Sequence, residues 1–326
     1  MARIGTSDLD VFPLALGGNV FGWTADEAQS FAVLDAYAAA GGNFVDTADG
    51  YSAWVPGNSG GESETLIGKW LASRGNRDAI VVATKVSSHP DFKGLRADNI
   101  RAAAEASLRR LGTDHIDLYY THFDDPQIPV EEILGALDEL VREGKVRQIA
   151  ASNISAERLA ESLAFSEREG LASYVALQQL YNLVERTDYE GAMAEVVASH
   201  GLSSVPYYAL ASGFLTGKYR TGTVVDSPRA GGAGKYLATG RGQRVLVALD
   251  EVAQAHDAEV ATVALAWLAA QPTVAAPIAS ARTVEQLPAL LAVADLKLTA
   301  EELDRLTAGL MRSQQMILSS AVAWSG

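Results

Sequence analysis

Short β-branched and aromatic runs alternate with stretches of helical periodicity over most of the chain's 326 residues. The runs predict strands at Pro13–Gly17, Asn43–Thr47, Ala79–Lys85, Ile116–His122, Val146–Ser152, Tyr174–Gln179, Leu202–Tyr208 and Val274–Ser280. Stretches such as Ile80–Thr84 are apolar with little alternation, the pattern of strands covered on both faces. Helices are predicted between them at Asp26–Ala40, Glu62–Ser73, Ala97–Leu111, Val130–Glu143, Ala156–Glu169, Tyr189–His200 and Gln243–Ala270, with another at Val284–Val293. Thr24 with Glu27, Thr283 with Gln286 and Thr299 with Glu302 have the spacing of capping boxes. Gly41, Gly75, Gly112, Gly144, Gly170 and Gly201 stand where helices should stop. Strand–helix alternation repeated eight times predicts the α/β class and a single (β/α)8 TIM barrel. A short N-terminal hairpin would precede it, and a long loop would follow the seventh strand. An open doubly wound sheet is the alternative, but no GxGxxG joins the first strand to the first helix.

The last strand residues fall at 17, 46, 85, 122, 152, 178, 207 and 279, so six steps are one βα unit long and the seventh is more than twice that. The surplus holds a loop, Lys218–Arg244, and a long helical stretch expected to break near Asp257-Ala258. The loop carries Lys218, Arg220, Arg229, Lys235, Arg241 and Arg244 against one acid, Asp226, a local balance of +5, and six glycines. Mobile backbone with positive charge suits a flap over an anionic ligand; a solvated loop is the plainer alternative.

Composition narrows the field further. The whole chain carries a net charge of −14, which argues against nucleic acid and anionic membrane as partners. There is no cysteine, hence no disulfide, thiolate nucleophile or Cys-ligated metal. The start has no apolar run of signal-peptide type, and the longest apolar stretch, Val260–Ala270, is too short to span a bilayer. A cytoplasmic protein is the expectation.

In such a barrel the active site lies at the C-terminal ends of the strands. Asp46, Lys85 and His122 end predicted strands, and Tyr51 follows Asp46 by five residues. A lysine ending an apolar strand is costly to bury unless paired. A tyrosine with a free pKa near 10 needs help to move protons at neutral pH. An adjacent ammonium lowers that pKa, a carboxylate keeps the ammonium charged, and a histidine can orient a substrate oxygen. The set can protonate a forming alkoxide. It has no strong nucleophile. His122, Asp124 and Asp125 could be read as metal ligands, but no second His cluster supports them, and no metal is expected.

Those residues sit in segments that resemble the aldo-keto reductases, in particular bacterial-type members, from Arg3 to about Leu310. The matching segments are Asn43-Phe-Val-Asp-Thr-Ala-Asp-Gly-Tyr51, Val82-Ala-Thr-Lys85, Asp117-Leu-Tyr-Tyr-Thr-His122, Ala151-Ser-Asn153, Leu177-Gln-Gln-Leu-Tyr-Asn182, the stretch from Pro206 to Tyr219, and the stretch from Pro277 to Gln286. The resemblance implies Tyr51 as general acid/base, tuned by Lys85 and Asp46, with His122 orienting a carbonyl. It also implies a nicotinamide cofactor, NADPH/NADP+ before NADH, bound without a Rossmann domain. By that match Ser152, Asn153 and Gln178 hold the carboxamide and Tyr207 stacks on the ring. Backbone from Leu210 through Ser212, Gly213, Leu215 and Gly217 to Lys218 holds the pyrophosphate. Ser280, Arg282 and Gln286 meet the adenosine end, Arg282 as partner of a 2′-phosphate. Gln286 has a competing structural explanation as the last member of a capping box. Two departures stand out: Leu287-Pro-Ala-Leu290 lacks the adenine-binding Asn of many relatives, and Tyr208-Ala209 replaces a frequent Ser-Pro.

The resemblance places the substrate pocket in loops at the barrel mouth, with Phe21, Trp23, Trp54, Phe123 and, in a C-terminal tail at 311–326, Trp324 as candidates. Their clustering favours an apolar aldehyde or ketone as small-molecule partner. One barrel domain over 1–326, with a cofactor-covering loop at 218–244, accounts for the length. The expected reaction is NADPH-dependent reduction of a carbonyl to an alcohol. A non-catalytic or redox-sensing cytoplasmic partner, as in potassium-channel β-subunits that resemble reductases, and a metal-dependent barrel hydrolase are the rival readings. The resemblance allows monomers and larger assemblies.

Overall fold

The computed structural model describes residues 1–223, 225 and 230–308. Eight strands form one sheet: β1 (Ala15–Gly17), β2 (Phe44–Asp46), β3 (Val81–Val86), β4 (Ile116–Thr121), β5 (Val146–Ser152), β6 (Tyr174–Gln178), β7 (Ser203–Ser204) and β8 (Ile278–Ala279). Every neighbouring pair is parallel, in chain order from β1 to β7, with β8 beside β1. The ring closes where Ser204 pairs with Val274, its amide donating to Thr273 O at 2.8 Å and its carbonyl accepting from Ala275 N at 2.9 Å. A parallel sheet closed this way, with helices between its strands, is the (β/α)8 barrel that the alternation predicts.

The pleat sorts the side chains into two layers. Ala15, Phe44, Ala83, Leu118, Tyr120, Ala150, Ala176, Val205 and Ile278 fill the barrel. Residues one step along, such as Val45, Val82, Tyr119 and Ala151, face the helices. An antiparallel hairpin, Ala2–Arg3 with Asp10–Val11, adds Ile4, Leu9 and Val11 to the inner layer and so stoppers the lower end. Each fully buried aliphatic side chain of this kind contributes about 1.5–3 kcal/mol.

The helices are α1 (Glu27–Ala39), α2 (Glu62–Arg74), α3 (Ala97–Leu111), α4 (Val130–Arg142), α5 (Ala156–Glu169), α6 (Ala192–Ser199), α7 (Ala230–Leu237), α8 (Gly240–His256), α9 (Val260–Ala269), α10 (Leu287–Leu291) and α11 (Ala300–Ala308). Two capping expectations fail. Thr24 is held in the preceding turn by its amide bond to Val20 O, and the cap passes to Asp26, which forms a reciprocal box with Gln29. The Gln286 side-chain oxygen accepts from the Arg282 amide at 2.8 Å, and no side-chain cap forms at Thr283. The third box, Thr299 with Glu302, is present. The long helical stretch breaks at Asp257, which adopts φ +49° between α8 and α9.

The second half of the expected loop Lys218–Arg244 is helical, over Ala230–Leu237 and again from Gly240. α7 lies inside it despite three glycines, because Ala233 is buried and the Tyr236 ring packs 5.3 Å from that of Phe214. Tyr236 also donates to Glu185 at 2.6 Å. Thr239 then caps α8 at the Gly242 amide, 3.0 Å away. Asp226 and Arg229 of the expected flap, and the expected tail 311–326 with Trp324, lie outside the described residues. Among the described residues no helix is long and apolar enough to cross a membrane.

Two helical glycines test this packing in opposite directions. A Cβ on Gly68 in α2 would stand 2.5 Å from Arg110 O at the end of α3, whereas one on Gly135 in α4 meets nothing within 4 Å. Gly68→Ala should destabilise the fold by about 1–3 kcal/mol through overpacking, and Gly135→Ala should stabilise it by up to about 1 kcal/mol. Thermal or urea unfolding of the two variants reads both signs.

Candidate active site

The pleat that fills the barrel also builds its mouth. Two residues beyond each topmost core side chain comes the next one on the same face. Gly17 follows Ala15, Asp46 follows Phe44, Lys85 follows Ala83 and His122 follows Tyr120; Ser152, Gln178, Tyr207 and Ser280 follow Ala150, Ala176, Val205 and Ile278. Seven of these eight, all except Lys85, line one cavity of about 520 Å³.

Lys85 lies behind Tyr51 and is fully buried. All three of its ammonium hydrogens have acceptors: Asp46 Oδ2 at 2.8 Å, Thr47 O at 2.6 Å and the Tyr51 hydroxyl at 3.0 Å. The other Asp46 oxygen accepts from Gln178 Nε2 at 2.8 Å. Burial pulls the Lys85 pKa down, but Asp46 and Tyr51 outweigh it and the net shift is upward. Tyr51 is also raised, by burial first, with the Lys85 ammonium working against that rise. The lysine thus restrains a phenol that burial would push higher still, where the sequence alone predicts a net fall. Burial and Lys85 hold the His122 imidazole well below its usual range, so it is neutral. Its ring centroid is 6.0 Å from that of Tyr51 across the cavity floor.

From this floor the cavity runs along a polar wall to a cationic end. Asn153, at φ +49°, donates to His122 O and Ser152 Oγ and accepts from the Tyr207 hydroxyl at 2.8 Å. Leu210, Ser212, Gly213, Thr216 and Lys218 continue the lining. Ala211, Ser212 and Gly213 all have positive φ, a strained turn of the kind found at ligand clamps. Ser280, Arg282 and Gln286 complete the far end, Ser280 donating to Asn19 at 2.7 Å. Among the described residues neither Lys218 nor Arg282 has an ion-pair partner.

Two of the residues expected along the pyrophosphate, Leu215 and Gly217, fall outside the lining. Leu215 is buried with its amide bonded to Leu210 O, and the Gly217 amide is bonded to Phe214 O. At the mouth Trp23 and Phe123 line the cavity, and Phe123 stacks 4.6 Å from the His122 ring. Trp54 does not line it; half exposed, it packs edge-on against Trp23 and Tyr51. Phe21 is a core residue, fully buried. Asp124, one of the ligands in the metal reading, is paired with Arg158. Among the described residues no group of three or more His, Asp or Glu is placed to hold a metal.

A profile of the aldo/keto reductase family matches residues 13–310. The chain belongs to the aldo/keto reductase family. The protein tas of Escherichia coli is 32% identical over 94% of this chain and 96% of its own length. An uncharacterized oxidoreductase of Bacillus subtilis, YrpG, is 36% identical over 91% and 92%. Norsolorinic acid reductase B of Aspergillus parasiticus is 31% identical over 91% and 80%. Membership and these names support an oxidoreductase, and aldo/keto reductases use nicotinamide cofactors.

The donor set fits such a cofactor. Amide and hydroxyl groups sit beside an aromatic ring at the end lined by Asp46, Tyr51 and His122, and cations lacking an ion-pair partner among the described residues stand at the other end. Several lining residues carry no clear mark in the sequence. Asn19 and Thr24 come from the loop after β1, Glu259 from the start of α9, and Ala289 from α10. Glu259 follows the predicted helix break, Thr24 is marked only as a helix cap, and Ala289 only as part of a departure from the family pattern. Asp49 and Ser88, behind His122, are also absent from the sequence-based candidates.

Removing one partner from a buried ion pair strands the other charge. Lys85→Met should therefore cost about 3–5 kcal/mol of folding stability, while Asp46→Asn together with Lys85→Met should recover part of that loss. Unfolding curves of the single and double variants give the comparison.

Proposed function

We propose that this chain reduces an aldehyde or ketone to the alcohol, with NADPH as the favoured cofactor. The observation that carries the reading is the Lys85–Tyr51 contact of 3.0 Å, backed by Asp46 at 2.8 Å, on the floor of a cavity that extends to Arg282. When bound, the nicotinamide supplies the hydride that ends on the carbonyl carbon. Tyr51 gives its hydroxyl proton to the carbonyl oxygen, and the Lys85 ammonium stabilises the phenolate left behind. Asp46 neutralises the lysine and keeps it in place. His122, neutral and facing the same cavity, orients the carbonyl. Solvent returns the proton to Tyr51, and the reverse sequence oxidises the alcohol.

Ser152, Asn153 and Gln178 would hold the carboxamide, with Tyr207 against the ring and the segment from Leu210 through the strained turn at 211–213 along the pyrophosphate. Arg282, which has no ion-pair partner among the described residues, supports a 2′-phosphate and hence NADPH over NADH. Ala289 and Leu290 offer an apolar seat in place of a polar contact to adenine. The aromatic mouth of Trp23 and Phe123 supports an apolar carbonyl compound.

Tyr51→Phe should lose carbonyl reduction by a factor of about 100 or more while tryptophan quenching by NADPH persists; full activity in that variant would refute the assignment. Arg282→Ala should weaken NADPH binding about tenfold or more, a lost charge-assisted pair, and leave NADH nearly unchanged. Parallel fluorescence titrations with the two cofactors read the difference.

A further inference from the structure

A second line of polar groups leads away from the cavity behind His122. Its Nδ1 lies 3.0 Å from Ser88 Oγ, and Ser88 Oγ lies 3.0 Å from Asp49 Oδ1. Asp49 is fully buried, and its other oxygen, Oδ2, has no hydrogen-bond partner among the described residues. A serine hydroxyl carries one hydrogen, so Ser88 donates to one of these neighbours and accepts from the other. Two arrangements satisfy that constraint without placing a hydrogen on Oδ2, which has nothing among the described residues to donate to. With Asp49 ionised, Ser88 donates to the carboxylate, Nδ1–H donates to Ser88, and Nε2 is left as a bare acceptor. With Asp49 protonated on Oδ1, its O–H donates to Ser88, Ser88 donates to Nδ1, and Nε2 carries the hydrogen. Only the second arrangement offers a donor to a carbonyl oxygen.

We propose that Asp49 and Ser88 are positioning residues that set the tautomer of His122, so that carbonyl reduction depends on a proton stored on a carboxyl group outside the cavity. The proposal rests on the reductase reading of the site. His122 is neutral in both arrangements; from the first to the second, the Ser88 hydrogen passes to Asp49, the Nδ1 hydrogen passes to Ser88, and Nε2 takes up one proton from the cavity, the reverse releasing it.

The surroundings put this titration in a useful range. Burial, and then the Glu64 carboxylate on α2, raise Asp49 to about 7, against the opposing pull of Ser88, the His89 amide and the Arg110 charge on α3. Glu64 is itself held by Thr84 and Arg110. Tyr119 on β4 and Tyr51 on the same loop also face Asp49 electrostatically. On β3, the Lys85 carbonyl accepts the Asp49 amide at 3.2 Å. For His122 the facing charged and titratable groups are Lys85 and Tyr51. Tyr51 titrates above its ordinary value, so its own inflection falls at higher pH and is separable.

The first test is ¹⁵N NMR of the protein with labelled histidine, assigned by His122→Gln. The expected result is Nε2–H at about pH 5.5 and Nδ1–H at about pH 8.5, the sides of a neutral titration. Asp49→Asn, which cannot titrate, should show one tautomer at both. The second is kcat/KM for reduction against pH, expected to fall about 10- to 100-fold through neutrality as the donor is lost. That fall should disappear in Asp49→Asn and in Ser88→Ala, with NADPH quenching unchanged and the higher Tyr51 inflection intact. The same wild-type tautomer at both pH values, or a wild-type pH profile in Asp49→Asn, overturns the proposal. Absence of turnover with the tautomer switch present would instead overturn the reductase reading alone.

Discussion

An ammonium group enclosed in the interior of a barrel is the constraint on which the site turns. Lys85 is fully buried at the top of β3, and nothing short of complete saturation makes that tolerable. Its three hydrogens go to a carboxylate, a backbone carbonyl and a phenol, contributed by β2 and the loop that follows it. The pairing of β2 with β3, Asp46 opposite Ala83, brings the carboxylate within reach. The same demand holds Tyr51 over the cavity floor. The same three contacts saturate the ammonium and fix the phenol in place.

The barrel interior supplies the rest by repetition. Alternation of side chains along each strand sends a core residue inward and then, two positions later, a residue into the mouth. Because eight parallel strands end together, eight such residues converge without any dedicated loop design. The hairpin closes the opposite end with Ile4, Leu9 and Val11, so the interior opens to ligand on one side only. Along the cavity the character changes from the Asp46–Lys85 pair, through neutral amides and hydroxyls, to Lys218 and Arg282. That polarity suits a long anionic cofactor lying with its redox end over Tyr51.

Legibility followed the range of the interactions. Most strand ends were readable because parallel strands are short apolar runs bounded by turn residues; the seventh run, expected to reach Tyr208, stops as a strand at Ser204. The break at Asp257 and the Thr299 cap are local events and were visible as such. The glycines of α7 argue for a loop; contacts with Phe214 and Glu185, distant in sequence, decide otherwise. The Asp26 cap displaced Thr24 because a turn from Val20 to Ala25 had already taken the threonine amide. Asp49 and Ser88 carry no motif of their own, and their role arises only from a geometry spanning three loops.

By itself the sequence determined the eightfold alternation, the family resemblance and the identity of the residues at each strand end, since these depend on local pattern and composition. Tertiary structure decided which of those residues share a cavity and which, like Leu215 and Phe21, turn into the core. It also decided which way the titratable groups' pKa values move. Burial raises Tyr51 and Asp49 and lowers His122, and desolvation is a property of the packed molecule that no spacing along the chain contains.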